Sequence, residues 1–180
     1  MKKISLLFLC IAMPLVSNAQ SSKNVEDNQF KINFMTPALN YEIGIQRNST
    51  LCFELGTGFA LRGGSEVRTD FGFYPYLEGQ YNYYYNLDRR IAKGKNIALN
   101  TGNFIAIKTS YSNGKPILGD LYGNNYFFIG PMYGLQRTYK SGFNFEIAGG
   151  VGYYKNDVDG GAAVEIDLSI GWVLFKKKNK

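Results

Sequence analysis

Residues 71–90, FGFYPYLEGQYNYYYNLDRR, constrain the fold of this chain more than any other stretch of its sequence. Their odd-numbered positions carry mainly aromatic and aliphatic side chains, and their even-numbered positions include Glu78, Gln80, Asn82, Asn86 and Asp88. This period of two predicts a β-strand with one apolar and one polar face. The tyrosines gather toward one end, as side chains at a water–lipid boundary do. The stretch therefore predicts a long, membrane-spanning strand.

The same alternation recurs along most of the chain. The clearest examples are residues 51–61, 143–153 and 162–174, where apolar side chains alternate with glycine, alanine and carboxylates. Residues 97–111 alternate with one exception at Asn103, and residues 126–139 are interrupted by a Gly-Pro pair. Many strands with few prolines and many glycines predict a single all-β domain built of hairpins.

Residues 30–46 decide the number of strands. Apolar side chains alternate up to Phe34, stop at Thr36 and Pro37, and resume from Leu39 in the opposite parity. One kinked strand and a hairpin both fit this pattern. The hairpin gives eight strands, and a closed antiparallel bacterial barrel needs an even number. We therefore expect an eight-stranded antiparallel up-and-down transmembrane β-barrel over residues 29–175.

The two ends of the chain have compositions of their own. Residues 1–19 have two lysines, an apolar run and small residues before a cut at Gln20, which predicts a secretory signal peptide. The apolar run is too short for a membrane-spanning helix, which needs about 20 residues. Residues 20–28 are expected to form a short flexible lead-in, and residues 176–180 a basic tail.

Composition disfavours several classes of function. The chain has no histidine, which removes Ser-His and Cys-His catalysis and imidazole zinc sites. Its two cysteines are Cys10, within the expected leader, and Cys52, which we interpret as a small interior residue. We therefore expect no enzyme, no metal site and no cofactor. The net charge is +6, but its basic residues are scattered, so no nucleic-acid partner is expected.

The polar positions of the strands predict a charged interior. By parity six carboxylates and two lysines point inward, and this excess of acids predicts that Arg137 also points inward, after a register change at Gly130-Pro131. We expect a structural network that fills a narrow barrel, with acid–base chemistry or a cation path as the alternative. The predicted network comprises Lys31, Glu42, Glu54, Glu78, Lys108, Arg137, Glu146, Glu165 and Asp167.

The opposite face is expected to contact lipid. Tyr81, Tyr83, Tyr85 and Trp172 predict an aromatic girdle. Alternation alone does not separate such a barrel from a soluble sandwich or lipocalin-like barrel whose apolar face points inward. Strands of about 11–16 residues, and compact connections that alternate with irregular ones, favour the membrane.

Several segments resemble one known family. LNYEIGIQRNSTLCFELGTGFAL, YPYLEGQYNYYYNLDRR, GPMYGLQRTY and FNFEIAGGVGYY, with the leader, resemble the small outer-membrane β-barrel proteins of Gram-negative bacteria, of OmpA/OmpX-type architecture. The resemblance is one of pattern and implies location in the cell outer membrane, contact with its lipid and insertion by the envelope machinery. One departure is that Phe175 is followed by KKKNK, whereas many such barrels end on an aromatic residue.

Taken together, these features predict a monomeric, non-enzymatic outer-membrane protein with a plugged polar lumen. Its role is expected to be structural, or to consist of binding an extracellular partner through loops at residues 62–70, 112–125 and 156–161. A narrow channel or small-molecule carrier is the first alternative. A secreted, soluble lipocalin-like binding protein is the second.

Overall fold

The computed structural model describes residues 23–64 and 67–177, so the expected signal peptide lies outside the described residues. Strands dominate, with one short helix, α1 (Leu87–Ala92), and one turn of 3-10 helix (Ala98–Asn100). Neither helix is long and apolar enough to cross a membrane. The strands are β1 (Asn28–Asn33), β2 (Ala38–Gln46), β3 (Ser49–Gly64), β4 (Val67–Tyr83), β5 (Gly102–Ser112), β6 (Leu118–Gly119), β7 (Tyr126–Thr138), β8 (Phe143–Asn156) and β9 (Gly160–Lys177).

Eight of these strands close into a ring. Neighbours are antiparallel in the order β1-β2-β3-β4-β5-β7-β8-β9, and β9 pairs with β1. The prediction of an all-β, antiparallel fold with eight main strands is confirmed. The ninth strand, β6, was not predicted; it is two residues long and pairs with Gly72 and Phe73 of β4.

Residues 30–46 form a hairpin and not a single kinked strand. β1 and β2 pair from Asn28 with Ile43 to Asn33 with Ala38, and Thr36 and Pro37 lie in the turn between them. The change of parity at the proline is therefore a change of strand and not a bulge within one strand.

The ring has a polar interior and an apolar outer face. Lys31, Glu42 and Asn82 are at most 3% exposed, whereas Phe53 and Leu55 of β3 are 50–54% exposed. Because successive side chains of a strand point to opposite faces, the alternation in the sequence places the polar set inside.

One side of the interior is apolar and depends on glycine. The rings of Phe104 and Phe128 are fully buried there with Met132. A Cβ atom at Gly134 would lie 2.5 Å from Cζ of Phe104, and one at Gly152 would lie 2.6 Å from Cζ of Phe128. Only glycine leaves room for these two rings at those positions.

The two ends of the ring differ. The closed end carries residues 23–27, α1 and the 3-10 turn, and the open end carries the β1–β2, β3–β4, β5–β7 and β8–β9 connections. At the closed end Val25, Tyr84, Leu87 and Leu99 are 0–5% exposed. Side chains from the N-terminal segment and from the β4–β5 connection thus cover the interior at this end.

The structure adds two features at the closed end. Residues 23–27 of the lead-in pack against the ring, since the main-chain N–H of Asn24 donates to the main-chain oxygen of Arg47 and Val25 is fully buried. The alternation over residues 97–111 begins before the strand does, because β5 begins at Gly102. Leu99 and Asn100 have φ of 57° and 58°, a left-handed conformation that turns Leu99 into the interior.

The basic tail is also shorter than predicted. β9 extends through Lys177, whose partner in β1 is Asn28, so the strand includes two of the residues assigned to the tail. Residues 178–180 lie outside the described part of the chain.

Candidate functional site: a charged cavity inside the ring

A cavity of about 390 Å³ occupies the polar side of the interior. It reaches toward the open end, where Ser112 and Tyr126 form part of its wall. All eight strands of the ring contribute residues to its wall, β7 through Tyr126 alone. The charged and amide side chains of the wall are Lys31, Asn33, Asn40, Glu54, Glu78, Gln80, Lys108, Glu146, Glu165 and Asp167.

Lys31 lies at the deep side of the cavity and pairs with two carboxylates. Its Nζ is 3.1 Å from Oε2 of Glu42 and 3.9 Å from Oε2 of Glu146. Glu42 is fully buried, and its carboxylate also accepts hydrogen bonds from the side chains of Gln29, Tyr84 and Asn100. Four donors therefore satisfy a charge that has no contact with water.

Lys108 forms a second centre nearer the open end. Its Nζ lies 3.0 Å from Glu78, 3.2 Å from Glu165 and 2.8 Å from Asp167. One ammonium group thus contacts three carboxylates, which leaves a net negative charge around it. These three acids are partly exposed to the cavity, whereas Lys108 is buried.

Glu54 has only neutral partners. Its carboxylate accepts hydrogen bonds from Nδ2 of Asn33 at 2.8 Å, Nδ2 of Asn40 at 2.9 Å and the hydroxyl of Tyr76 at 2.5 Å. Among the lysines and arginines whose side chains the structure describes, none forms an ion pair with it. The wall of the cavity therefore holds a carboxylate without a compensating cation.

Arg137 does not join these residues, so the prediction that it points inward is wrong. Its guanidinium donates to Oδ1 of Asn103 at 2.6 Å and to the main-chain oxygen of Gly102 at 2.8 Å. β7 keeps one register with β5 and with β8 on both sides of Gly130-Pro131, so its parity does not change there. Gln136 takes the neighbouring inward position instead and is fully buried.

The remaining eight members of the predicted network all lie on the inner face. Seven of them border the cavity, and Glu42 lies beyond Lys31 toward the closed end. The prediction missed the neutral donors that satisfy the carboxylates. Asn33, Asn40, Tyr76 and Gln136 have the inward parity of their strands and were detectable from it, whereas Tyr84 and Asn100 lie outside the strands.

Cys52 lies on the inner face as expected. It is buried, it is the one cysteine of the described residues, and it is unbonded. Its sulfur is 3.2 Å from Nδ2 of Asn82 and 3.8 Å from the hydroxyl of Thr50. The thiol thus packs among neutral polar groups at the edge of the cavity.

The four residues of the predicted girdle lie on the outer face. Tyr81, Tyr83, Tyr85 and Trp172 are 37–42% exposed, and all four are near the closed end. The hydroxyls of Tyr85 and Tyr133 are 2.7 Å apart, and Trp172 packs edge-on against Phe143. These aromatic side chains therefore lie around the same end of the ring.

The wall of the cavity carries hydrogen-bond acceptors and charged groups, and the chain contains no histidine. No group of three carboxylate or thiol side chains in the described ranges could hold a metal ion. Comparison of the chain with protein-family models, with curated proteins and with solved structures finds no match. The functional argument therefore depends on the residues themselves.

Proposed function

We propose that the chain is an eight-stranded transmembrane β-barrel of the bacterial outer membrane with a non-enzymatic role. The observation that carries this proposal is the inverted polarity of the ring. Ion pairs such as Lys31–Glu42 are buried inside it, while large apolar side chains cover its outside. A soluble barrel has the opposite arrangement, with its apolar set in the core.

The apolar outer surface extends around the ring. Each of seven strands presents a large apolar side chain outward: Leu39, Leu55, Leu77, Ile107, Ile129, Val151 and Ile166. In water such a surface is unfavourable by about 25 cal/mol per Å² of apolar area, and lipid removes that cost. A continuous apolar surface of this kind favours a bilayer over the soluble lipocalin-like alternative.

The closed end favours a plugged barrel over a channel. Val25, Tyr84 and Leu99 are buried there, and Glu42 and Gln136 fill the interior beneath them with hydrogen-bonded side chains. The interior of an eight-stranded barrel is only wide enough for side chains to fill. We therefore propose a structural or binding role and not conduction.

The open end is the surface that we propose for an extracellular partner. The β3–β4 hairpin extends past the last pair of β4 with β5, Tyr76 with Ser112, and so projects beyond its neighbour. Tyr122 is exposed in the β5–β7 connection and Val158 in the β8–β9 connection. Because every strand of the ring has two neighbours, the ring offers no free edge for pairing with a second copy, which supports a monomer.

The proposal is tested by fractionation and gel mobility. The protein is expected in the outer-membrane fraction, to need detergent for extraction, and to migrate differently on a gel before and after boiling. In planar bilayers the folded protein is expected to give no steady current. A protein that is soluble without detergent and shows no heat-dependent shift would contradict the membrane assignment, and a steady ohmic current would contradict the plug.

A further inference from the structure

We infer that the cavity at the open end binds a small organic cation that carries primary ammonium groups. The first observation is the unpaired charge of Glu54, whose partners are two amides and a phenol. A partly buried carboxylate without a cation is costly, and a ligand ammonium would compensate it. Glu78, its partner across β3 and β4, places a second carboxyl group beside it.

The second observation is that the neighbouring amides are oriented as acceptors. Asn33 and Asn40 are buried, border the cavity and donate their Nδ2 groups to Glu54. These bonds fix the orientation of both amides, because a flipped amide would place its oxygen against the carboxylate. The side-chain oxygens of Asn33 and Asn40, and Oε2 of Glu165, have no hydrogen-bond partner. These three oxygens have almost no accessible surface, so a ligand that donates hydrogen bonds would satisfy them after a local shift of the side chains around them.

The numbers of acidic and basic groups around the cavity also favour a cationic ligand. Five carboxylates border it, and the two lysines present are already paired, Lys31 with Glu42 and Glu146 and Lys108 with three acids. The remaining negative charge lies toward the open end, where the field of several carboxylates in a narrow space attracts a cation.

The size of the cavity favours a molecule over a single ion. Its volume of about 390 Å³ is within the range of small-molecule sites. One water takes only about 30 Å³. Tyr126 borders the cavity near the open end, and an aromatic ring there attracts an ammonium group. A short diamine matches this combination of carboxylates, amide oxygens and an aromatic ring.

Binding of the cation does not require that the protein lies in a membrane. Access to the cavity from outside the cell, however, rests on the proposed function. The test uses the full chain in detergent, with folding verified by the heat-dependent gel shift. Binding of 1,4-diaminobutane is measured by isothermal titration calorimetry. Butane-1,4-diol, a neutral molecule of the same length, and calcium chloride are titrated in parallel.

One diamine is expected to bind per chain, and the diol is expected not to bind. Glu54→Gln should weaken binding of the diamine by at least about tenfold, because it removes a hydrogen-bonded charge pair. Asp88→Asn is the matched control, since Asp88 lies at the closed end, and it should leave the affinity unchanged. If Glu54→Gln loses its gel shift, Asn40→Ala is the second variant and should also weaken binding.

Three results would overturn the inference: no binding of the diamine, an affinity that is unchanged in both Glu54→Gln and Asn40→Ala, or tighter binding of calcium than of the diamine. Each of these would leave the gel shift intact, so failure of the ligand site is distinguished from failure of the proposed barrel.

Discussion

The ion pair of Lys31 and Glu42 illustrates how single residues hold the interior together. Both side chains are almost entirely removed from solvent, and their separation is 3.1 Å. A buried pair is tolerated only when further hydrogen bonds satisfy it, and Gln29, Tyr84 and Asn100 supply them to Glu42. Three of the four donors to Glu42 are neutral, so its charge depends on Lys31 alone for compensation at close range.

We predict that Lys31→Met lowers the free energy of unfolding by about 3–5 kcal/mol, because it leaves Glu42 as a buried charge without a cation. The double variant with Glu42→Gln should recover part of this loss, since the replaced carboxylate then needs no cation. Urea unfolding of the refolded protein in lipid vesicles measures both. A loss of less than about 1 kcal/mol for Lys31→Met would show that the pair contributes little.

At the residue scale the sequence predicted most of the candidate site. The period of two places Lys31, Lys108 and the carboxylates together on one face of their strands, and it needs no knowledge of neighbouring strands to do so. For Arg137 the parity of the strand is right, and the prediction departed from it because it balanced acids against bases and did not count neutral donors. Asn33, Asn40 and Tyr76 satisfy Glu54 without any cation. The count of charges therefore does not determine which way an arginine points.

Among the structural elements, residues 23–27 have the most unexpected role. Their segment packs against the β4–β5 connection through two contacts of Glu26. The main-chain N–H of Glu26 donates to Oδ1 of Asn100 at 2.8 Å, and the carboxylate of Glu26 accepts a hydrogen bond from the main-chain N–H of Leu99 at 3.0 Å. Both contacts fall on the two left-handed residues of the 3-10 turn, so Glu26 fixes the conformation that turns Leu99 inward.

We predict that Glu26→Ala loosens the closed end without unfolding the ring. The change leaves the buried N–H of Leu99 without an acceptor, at a cost of about 1–3 kcal/mol. Hydrogen–deuterium exchange should therefore rise over residues 96–101 and stay unchanged in β7 and β8. Lys23→Ala, a change in the same segment at a partly exposed side chain, is the control. Equal exchange in the two variants would argue against this role of Glu26.

A cluster around Asp88 connects α1 with the β2–β3 turn and gives this end a dependence on pH. Hydrogen bonds from Arg47 at 2.8 Å and from Asn48 at 2.9 Å, together with one from Asn24, hold the pKa of Asp88 below its usual value. A carboxylate with a lowered pKa stabilises the fold above its unfolded pKa of about 3.9. Its contribution is lost as the pH falls through the lower, folded value.

We predict that the wild-type protein is more stable than Asp88→Asn at neutral pH by less than about 1 kcal/mol, because the pair is exposed. The difference should disappear as the pH is lowered below about 4. Unfolding free energies of both proteins over this range measure it, and about 1 M salt should reduce the neutral-pH difference by screening. A difference that persists at the acid end would contradict the role of the charge.

The closed end was the part of the fold that the sequence predicted least well. Residues 23–27 contain a single apolar residue, Val25, so periodicity has nothing to detect. Leu99 fits the parity of the strand that follows, and only its positive φ separates it from β5. Contacts between distant segments, such as Glu26 with Asn100, decide this region, and a local pattern does not contain them.

For the molecule as a whole, the sequence predicted the ring and its number of main strands. Alternation and turn residues are local, and an even number of strands follows from antiparallel closure. Alternation did not decide which face of the strands points inward. The buried ion pairs of Lys31 and Lys108 show that the polar face does. With the polar face inside, the outer residues of β3 become the direct test of a membrane environment.

Leu55 and Leu61 of β3 form a matched pair for that test. Both are exposed on the outer face, but Leu55 lies where β3 pairs with both β2 and β4, opposite Leu39 and Leu77, whereas Leu61 lies in the part of β3–β4 that projects past β5. In a bilayer Leu55→Arg should lower the unfolding free energy by about 2–4 kcal/mol, and Leu61→Arg by about 0–1 kcal/mol, because the cost of a charge depends on its depth. Urea unfolding in lipid vesicles measures both values. On a protein surrounded by water the two exposed substitutions would have similarly small effects, so equal values would reject the proposed transmembrane barrel.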